Sequence, residues 1–177
     1  MQPVSLENLN ENTYTKTVAN NVVHLAPTTH TAIVPKGISA KYVYFGALNS
    51  NTIVGIGTST ASAASGIFSN LNTNTGVQCN VVSNLPRGFE FAGWNPGMIW
   101  RTNKMSTCAR GMQATAWGTG QQANVGGIGQ QGSATSASDN QWLGNTWSST
   151  NLQTYTDANS TAAKGKLFVR SNAPYTL

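Results

Sequence analysis

The segment from residue 31 to 57, TAIVPKGISAKYVYFGALNSNTIVGIG, carries the pattern that decides the predicted fold. Within it, Lys41–Phe45 reads KYVYF, so an extended chain would place Val43 and Phe45 on one face and the two Tyr on the other. The turn-forming residues Asn49–Asn51 separate this run from the next apolar one. Alternation of period two is typical of strands, and we expect consecutive antiparallel strands here.

The same alternation recurs further along the chain. Phe89 and Phe91 share one face of a later run, and Met98 and Trp100 share one face of the run after it. A third candidate for an inward-facing row consists of Val77, Cys79 and Val81. We therefore predict an all-β fold, a single β-sandwich or jelly roll of about 8–10 short antiparallel strands.

Two segments depart from this rhythm. Residues 1–21 are polar, with few apolar anchors, and we predict an extended N-terminal arm there. Residues 118–138 read GTGQQANVGGIGQQGSATSAS, which predicts a long Gly/Gln-rich loop inside a single domain that spans 22–177. Both segments are candidates for docking onto a partner that orders them.

The composition is unusually poor in charge. Only 8% of the residues are charged, whereas Thr, Asn, Ser and Gly account for 76 of the 177 residues. Five acidic residues leave little material for carboxylate chemistry, and there is no GxSxG motif, so we predict a non-enzymatic protein. No apolar run approaches the about 20 residues of a membrane-spanning helix, and no signal peptide is evident.

The metal-ligating residue types are also sparse. His24 and His30 are the only imidazoles, and no third ligand lies near them in the sequence, so no metal or other cofactor is predicted. Cys79 and Cys108 lie outside any CxxC spacing, which argues against a zinc site. Because an unpaired Cys packs as a small apolar side chain, the pattern favours buried free thiols over a disulfide.

The net charge of +5 raises the question of an acidic partner. One candidate contact group consists of Arg87, Arg101, Lys104 and Arg110, and a second of Lys164, Lys166 and Arg170. Ten cations over 177 residues are too sparse for a typical nucleic-acid face, but they suit an acidic protein lattice or an acidic glycan. Glu90 is predicted to point away from the neighbouring Phe side chains, with Arg87 or Arg101 as its partner if it is buried.

Three of the five Trp residues are candidates for ligand contact. Trp94 lies in a Pro/Gly-containing turn, and Trp142 and Trp147 lie in a stretch rich in Gly and Asn. Exposed indoles there would serve as platforms for sugar stacking, whereas buried ones would close the core. We expect core positions for Trp94 and Trp147, and the pattern leaves both alternatives open for Trp142.

The stretch Ala32–Phe45, followed by Asn51–Thr58, resembles a pattern found in small bacteriophage virion proteins. A Pro-x-Gly turn, here Pro35–Gly37, leads into a strand rich in Tyr, Val and Phe, and a second strand ends in Gly-Thr. The charge-poor composition is similar to that of phage head decoration, fibre and tail components. The resemblance is structural and transfers no catalytic or binding residue.

The resemblance implies a virion protein made in the host cytoplasm. Such a protein would assemble as a dimer or trimer with other virion proteins, through an arm or loop, and would stabilise or decorate a capsid or tail. Neutral hydroxyls and amides suit such contacts, because their burial costs less than that of unpaired charge. The alternative is a receptor- or carbohydrate-binding module that recognises a host glycan. Neither interpretation involves a membrane, and the pattern leaves head and tail positions open.

Overall fold

A computed structural model describes residues 4–7, 16–26, 34–55, 57–58, 64–115, 128–129, 131–132 and 136–143. These residues contain fourteen short strands and no helix. The strands are β1 (Val4–Glu7), β2 (Lys16–Ala19), β3 (Val22–His24), β4 (Lys36–Lys41), β5 (Gly46–Asn49), β6 (Thr52–Val54), β7 (Ser65–Asn70), β8 (Gly76–Gln78), β9 (Val81–Ser83), β10 (Arg87–Ala92), β11 (Ile99–Arg101), β12 (Lys104–Ser106), β13 (Arg110–Thr115) and β14 (Gln141–Leu143).

The strands form three parallel sheets that wrap around one core. This arrangement is a parallel β-helix. Sheet A has the order β1-β4-β7-β10-β13, sheet B the order β11-β8-β5-β2, and sheet C the order β14-β12-β9-β6-β3. The chain contributes one strand to each sheet in turn, so each strand pairs with the corresponding strand of the next coil. Five coils are stacked along the helix axis, and the described residues give the fifth coil a strand in sheets A and C but none in sheet B.

Each strand of sheets B and C sends one side chain into the core, and these side chains stack in columns. In sheet B the column is Val18, Leu48, Val77 and Trp100, and in sheet C it is Val23, Ile53, Val82, Met105 and Trp142. Sheet A contributes a column that includes Ile38, Ile67, Phe89 and Met112. All of these side chains are buried, and this burial is the main stabilising contribution.

The corner between sheets B and C has the same construction in every coil. One residue with positive φ is followed by an Asn; the pairs are Asn20–Asn21, Ser50–Asn51, Cys79–Asn80, Thr102–Asn103 and Asp139–Asn140. Each Asn side chain bonds the next, with Nδ2–Oδ1 distances of 2.9 to 3.0 Å from Asn21 to Asn140. This Asn ladder satisfies the polar groups that each bend would otherwise bury unpaired.

Glycine is required where sheet A begins. Gly37, Gly66, Gly88 and Gly111 occupy equivalent positions in four successive coils, directly before the first core residue of each strand. A Cβ at Gly66 would lie 2.7 Å from the carbonyl oxygen of Gly88, and one at Gly88 would lie 2.5 Å from that of Gly111. Glycine therefore allows this close stacking of backbones.

The prediction of an antiparallel β-sandwich or jelly roll of about 8–10 strands is wrong, although the fold is all-β, because the described residues alone contain fourteen strands and these pair in parallel. Consecutive strands do not pair with each other: β5 pairs in parallel with β2 and β8. The predicted turn at Asn49–Asn51 is a corner with a single positive-φ residue, Ser50, which redirects the chain into the next sheet. Two short apolar runs joined by such a bend have the sequence signature of a hairpin but do not form one.

Some predicted strands lie at corners instead. Tyr42 and Phe45 both have positive φ, at 54°, so the KYVYF run after Lys41 forms the connection between β4 and β5. Cys79 is an exposed corner residue, so Val77 and Val81 do not share an inward row with it. The rows Phe89/Phe91 and Met98/Trp100 are confirmed, because all four side chains are buried in the core.

The predicted arm and loop fall only partly on the described residues. Residues 1–21 contribute β1 and β2, which pair in parallel with β4 and β5. Most of the 118–138 segment lies outside the described residues. Within it, Ile128 and Gln131 are buried, and the Gln131 side chain accepts a hydrogen bond from the Trp100 amide at 2.6 Å and donates to the Met98 carbonyl at 2.9 Å.

Candidate functional site

The outer face of sheet A carries most of the described charge. Strand register aligns its outward residues in three rows parallel to the helix axis. The first row is Lys36, Ser65, Arg87 and Arg110, and the second is Ser39, Phe68, Glu90 and Gln113; in the third, Lys41, Asn70, Ala92 and Thr115, the side chains of Asn70 and Ala92 are buried. Residues distant in the sequence become neighbours because parallel strands are about 4.8 Å apart.

Glu90 lies at the centre of this face and is only 5% exposed. Its Oε2 is 2.6 Å from Lys36 Nζ and accepts a hydrogen bond from the Ser65 hydroxyl. Its Oε1 is 3.0 Å from the Arg87 guanidinium and 3.5 Å from the Thr115 hydroxyl. The side chain points away from the Phe core with Arg87 as a partner, which confirms both sequence predictions for Glu90.

These partners determine the protonation state of Glu90. Burial by itself raises the pKa of the carboxyl group, but the positive charge of Lys36, hydrogen bonds from Lys36 and Ser65, and the charge of Arg87 outweigh it. The pKa of Glu90 is therefore held below its ordinary value. Glu90 is ionised at neutral pH and its negative charge is shared between two cations.

A groove of about 380 Å³ lies over these rows. It is lined by Val34, Lys36, Ser39, Lys41, Phe68, Arg87 and Glu90. Phe68 forms its floor, and Lys36 Nζ lies 4.4 Å from the ring centroid, within the range of a cation–π contact. On the strand beside Arg87, Arg110 donates a 2.7 Å hydrogen bond to Gln113.

The four candidate cations do not form one patch. Arg87 and Arg110 are register partners on sheet A. Arg101 and Lys104 are exposed on β11 and β12, on the two sides of the Thr102–Asn103 corner. Arg101 lines a separate groove of about 280 Å³ with Met98, Ile99, Gln131, Gly132, Ser136 and Ser138. In that groove, the Gln131 side chain accepts a hydrogen bond from the Trp100 amide and donates hydrogen bonds to the Met98 and Ile128 carbonyls.

The Trp candidates have different environments. Trp94 follows the positive-φ Gly93 at the end of β10 and is 37% exposed, so the expected core position does not describe it. Trp142 is buried in the fifth coil and packs edge-to-face on Trp100, with ring centroids 5.8 Å apart. Its face is therefore not presented to a sugar. Trp147 lies outside the described residues.

The cysteine and histidine residues contribute no cluster to this site. Cys79 and Cys108 are both free thiols; the expected burial is confirmed for Cys108 and wrong for Cys79. Burial raises the pKa of the Cys108 thiol to about 11, so this thiol is protonated at neutral pH. His24 is exposed on β3, and His30 falls outside the described residues. The described part of the chain contains no group of His, Cys, Asp or Glu that could hold a metal ion.

The sequence interpretation missed Lys36, Ser65 and Phe68 as members of this site. The signal that reveals them is an internal repeat: an x-Gly-apolar triplet begins at residues 36, 65, 87 and 110, as KGI, SGI, RGF and RGM. Aligning these triplets brings Lys36, Ser65, Arg87 and Arg110 into one row. The recurring Asn at each B–C corner gives the same alignment independently.

No helix among the described residues is long and apolar enough to cross a membrane. Comparisons with known protein families, with curated proteins and with solved structures find no match for this chain.

Proposed function

We propose that this protein is a non-enzymatic structural component of a bacteriophage particle, which assembles as an oligomer and stabilises or decorates the capsid or tail. One observation carries the proposal: five coils stack in register and an Asn ladder runs through all of them. Such a stack is a rigid element in which the Asn side chains of the B–C corners are hydrogen-bonded within the chain. Rigidity of this kind suits a part that must keep its shape under load.

Composition and sheet ends supply the further support. Neutral hydroxyl and amide side chains far outnumber charged ones in the chain, and they can be buried against neighbouring proteins at lower cost than charges. The strands β1, β2 and β3 are the terminal strands of sheets A, B and C. Strands at the end of a sheet are a common place for pairing with another chain, and this favours an oligomer.

Mass in solution is the first test. Light scattering coupled to size-exclusion chromatography should give a multiple of the 18.6 kDa chain mass at tens of micromolar protein. The second test is proteomic analysis of density-purified particles, in which the protein should remain through successive gradients in a constant ratio to the major capsid protein. A stable monomer that is absent from purified particles would contradict the proposal.

The alternative is a receptor- or carbohydrate-binding module, and the groove on sheet A is the observation that favours it. Trp142 is unsuitable as a platform because it is buried, whereas Trp94 is partly exposed. The two functions are compatible, because a rigid virion element can also carry a ligand site on one of its faces.

A further inference from the structure

We propose that the groove on the outer face of sheet A binds an acidic glycan, by contacts with the carboxylates of uronate-type sugars. This site is independent of where the protein resides, because it is defined by side chains of one chain. The inference concerns binding only and involves no bond cleavage.

Charge complementarity is the first argument. Four cationic residues lie on this face: Lys36, Lys41, Arg87 and Arg110. Glu90 provides the carboxylate at its centre. Glu7 on the edge strand β1 is the register partner of Lys41. Four cations against these two acidic residues leave the face with excess positive charge, which attracts a polyanion and repels a cationic ligand.

The donor geometry is the second argument. Arg87 uses one guanidinium N–H to contact Glu90 at 3.0 Å, and a guanidinium has five N–H donors arranged to fit a carboxylate. The side chain remains 21% exposed at the groove. Arg110 is its register neighbour on β13, so two guanidinium-bearing strands lie side by side. A carboxylate group above them can therefore be held by charge-assisted hydrogen bonds.

The arrangement in rows favours a linear polymer over a small anion. Lys36, Arg87 and Arg110 lie in one row along the helix axis; Arg87 and Arg110 are one strand spacing of about 4.8 Å apart, and Ser65 lies between Lys36 and Arg87. A chain lying along this axis meets cations repeatedly. At the A–B corner, Tyr42 and Trp94 are 39% and 37% exposed, and such rings offer apolar surface to sugar rings.

The same features favour a glycan over a nucleic acid. The positive charge on this face is modest and is partly neutralised by Glu90, whereas nucleic-acid grooves combine dense cations with bases stacked on exposed aromatic rings. The aromatic floor of this groove, Phe68, is only 4% exposed and is covered by Lys36. The Ser39 hydroxyl in the groove suits the hydroxyl groups of a sugar.

Calorimetric titration of the purified full chain with polygalacturonate tests the inference, with the methyl ester of the same polymer as the ligand control. We expect binding to polygalacturonate and not to the ester, because esterification removes the charge and keeps the sugar chain. The double variant Lys41→Gln/Arg110→Gln should bind polygalacturonate at least about tenfold more weakly, because each hydrogen bond to a charged group contributes substantially to the binding free energy. The matched control Arg101→Gln/Lys104→Gln removes the same charge from another surface and should bind normally.

Three outcomes would overturn the inference: no binding to polygalacturonate, equal binding to its methyl ester, or equal weakening in the two double variants. Tighter binding of single-stranded DNA at the same salt concentration would instead assign the face to nucleic acid. If the Lys41→Gln/Arg110→Gln variant does not fold, binding of the polymer and of its ester by the natural chain can still be compared. That comparison still tests whether the chain recognises the carboxylates. The result does not depend on whether the protein is found in purified particles, so the inference and the proposed function can fail separately.

Discussion

At the residue scale, Glu90 is the described residue whose protonation affects the stability of the fold most directly. It is buried, and it is held by Lys36, Arg87 and the Ser65 hydroxyl. The chain has only five acidic residues, so few other groups contribute to its acid response. A carboxyl with a lowered pKa in the folded state stabilises that state above its unfolded pKa, and this contribution is lost as the pH falls through the folded pKa.

The substitution Glu90→Gln should lower the free energy of unfolding at pH 7 by about 3 kcal/mol, because it leaves two partly buried cations without their counter-charge. The difference from the natural chain should shrink below about pH 4.5, the ordinary pKa of Glu, as the natural carboxyl takes up its proton. Urea unfolding between pH 7 and pH 3 measures this. The control Lys104→Gln, which removes an exposed charge on β12, should keep the pH profile of the natural chain. A difference that is equal at pH 3 and pH 7 would contradict the prediction.

At the element scale, the glycine column determines how the strands of sheet A stack. At Gly37, Gly66 and Gly88 the carbonyl oxygen of the next coil lies 2.5 to 2.7 Å from the place of a Cβ, whereas at Gly111 the nearest atoms belong to the Trp142 and Met105 side chains. Gly76 on β8 differs, because the nearest atoms to a Cβ there are the end of the Gln78 side chain at 3.1 Å and the Gly46 carbonyl at 4.0 Å. The two kinds of glycine therefore have opposite tolerance to a methyl group.

The substitution Gly88→Ala should destabilise the fold by about 2–3 kcal/mol, because the new methyl group overlaps the Gly111 carbonyl and crowds Val82. Gly76→Ala should be neutral or should stabilise by about 0.5 kcal/mol, because Ala loses less backbone entropy than Gly in a strand. Thermal unfolding of the two variants makes the comparison. Equal melting temperatures for both would show that the column does not restrict side-chain size.

At the scale of the whole molecule, the Asn ladder connects every coil to the next. Asn80 in the middle accepts from the backbone and side-chain amides of Asn51, both at 3.0 Å, and donates to Leu48 and Asn103. Asn21 in the first coil is half-buried and donates to Asn51 and Ala19. Loss of a middle member therefore breaks the ladder on both sides.

We expect Asn80→Ala to lower the free energy of unfolding by about 4 kcal/mol, because it leaves several buried polar groups without partners. Asn21→Ala, at the end of the ladder, should cost about 1 kcal/mol. Chemical denaturation followed by circular dichroism measures both values. Similar costs at the two positions would mean that the ladder members act independently and do not couple the coils.

The sequence by itself determined the all-β class, because alternation within one strand is a local property, but not the number of strands, which is fourteen among the described residues against the 8–10 predicted. It also identified the inward rows Phe89/Phe91 and Met98/Trp100 and the orientation of Glu90 towards Arg87, since these follow from strand geometry and short sequence separation. Reading the strands as hairpin partners was wrong, because a short run followed by a bend has the same local signature in a sandwich and in a β-helix.

Only the tertiary structure decided which strands pair and which residues share a face. The Asn corners turn the chain into a new sheet, and their stability comes from the neighbouring coils, which no local pattern contains. The groove depends on the same long-range register. Lys36, Ser65 and Glu90 belong to three successive coils and meet because parallel stacking aligns the first strand of each. The composition shows an excess of cations. Only the stacking of the coils shows that Arg87 and Arg110 lie on a different face from Arg101 and Lys104.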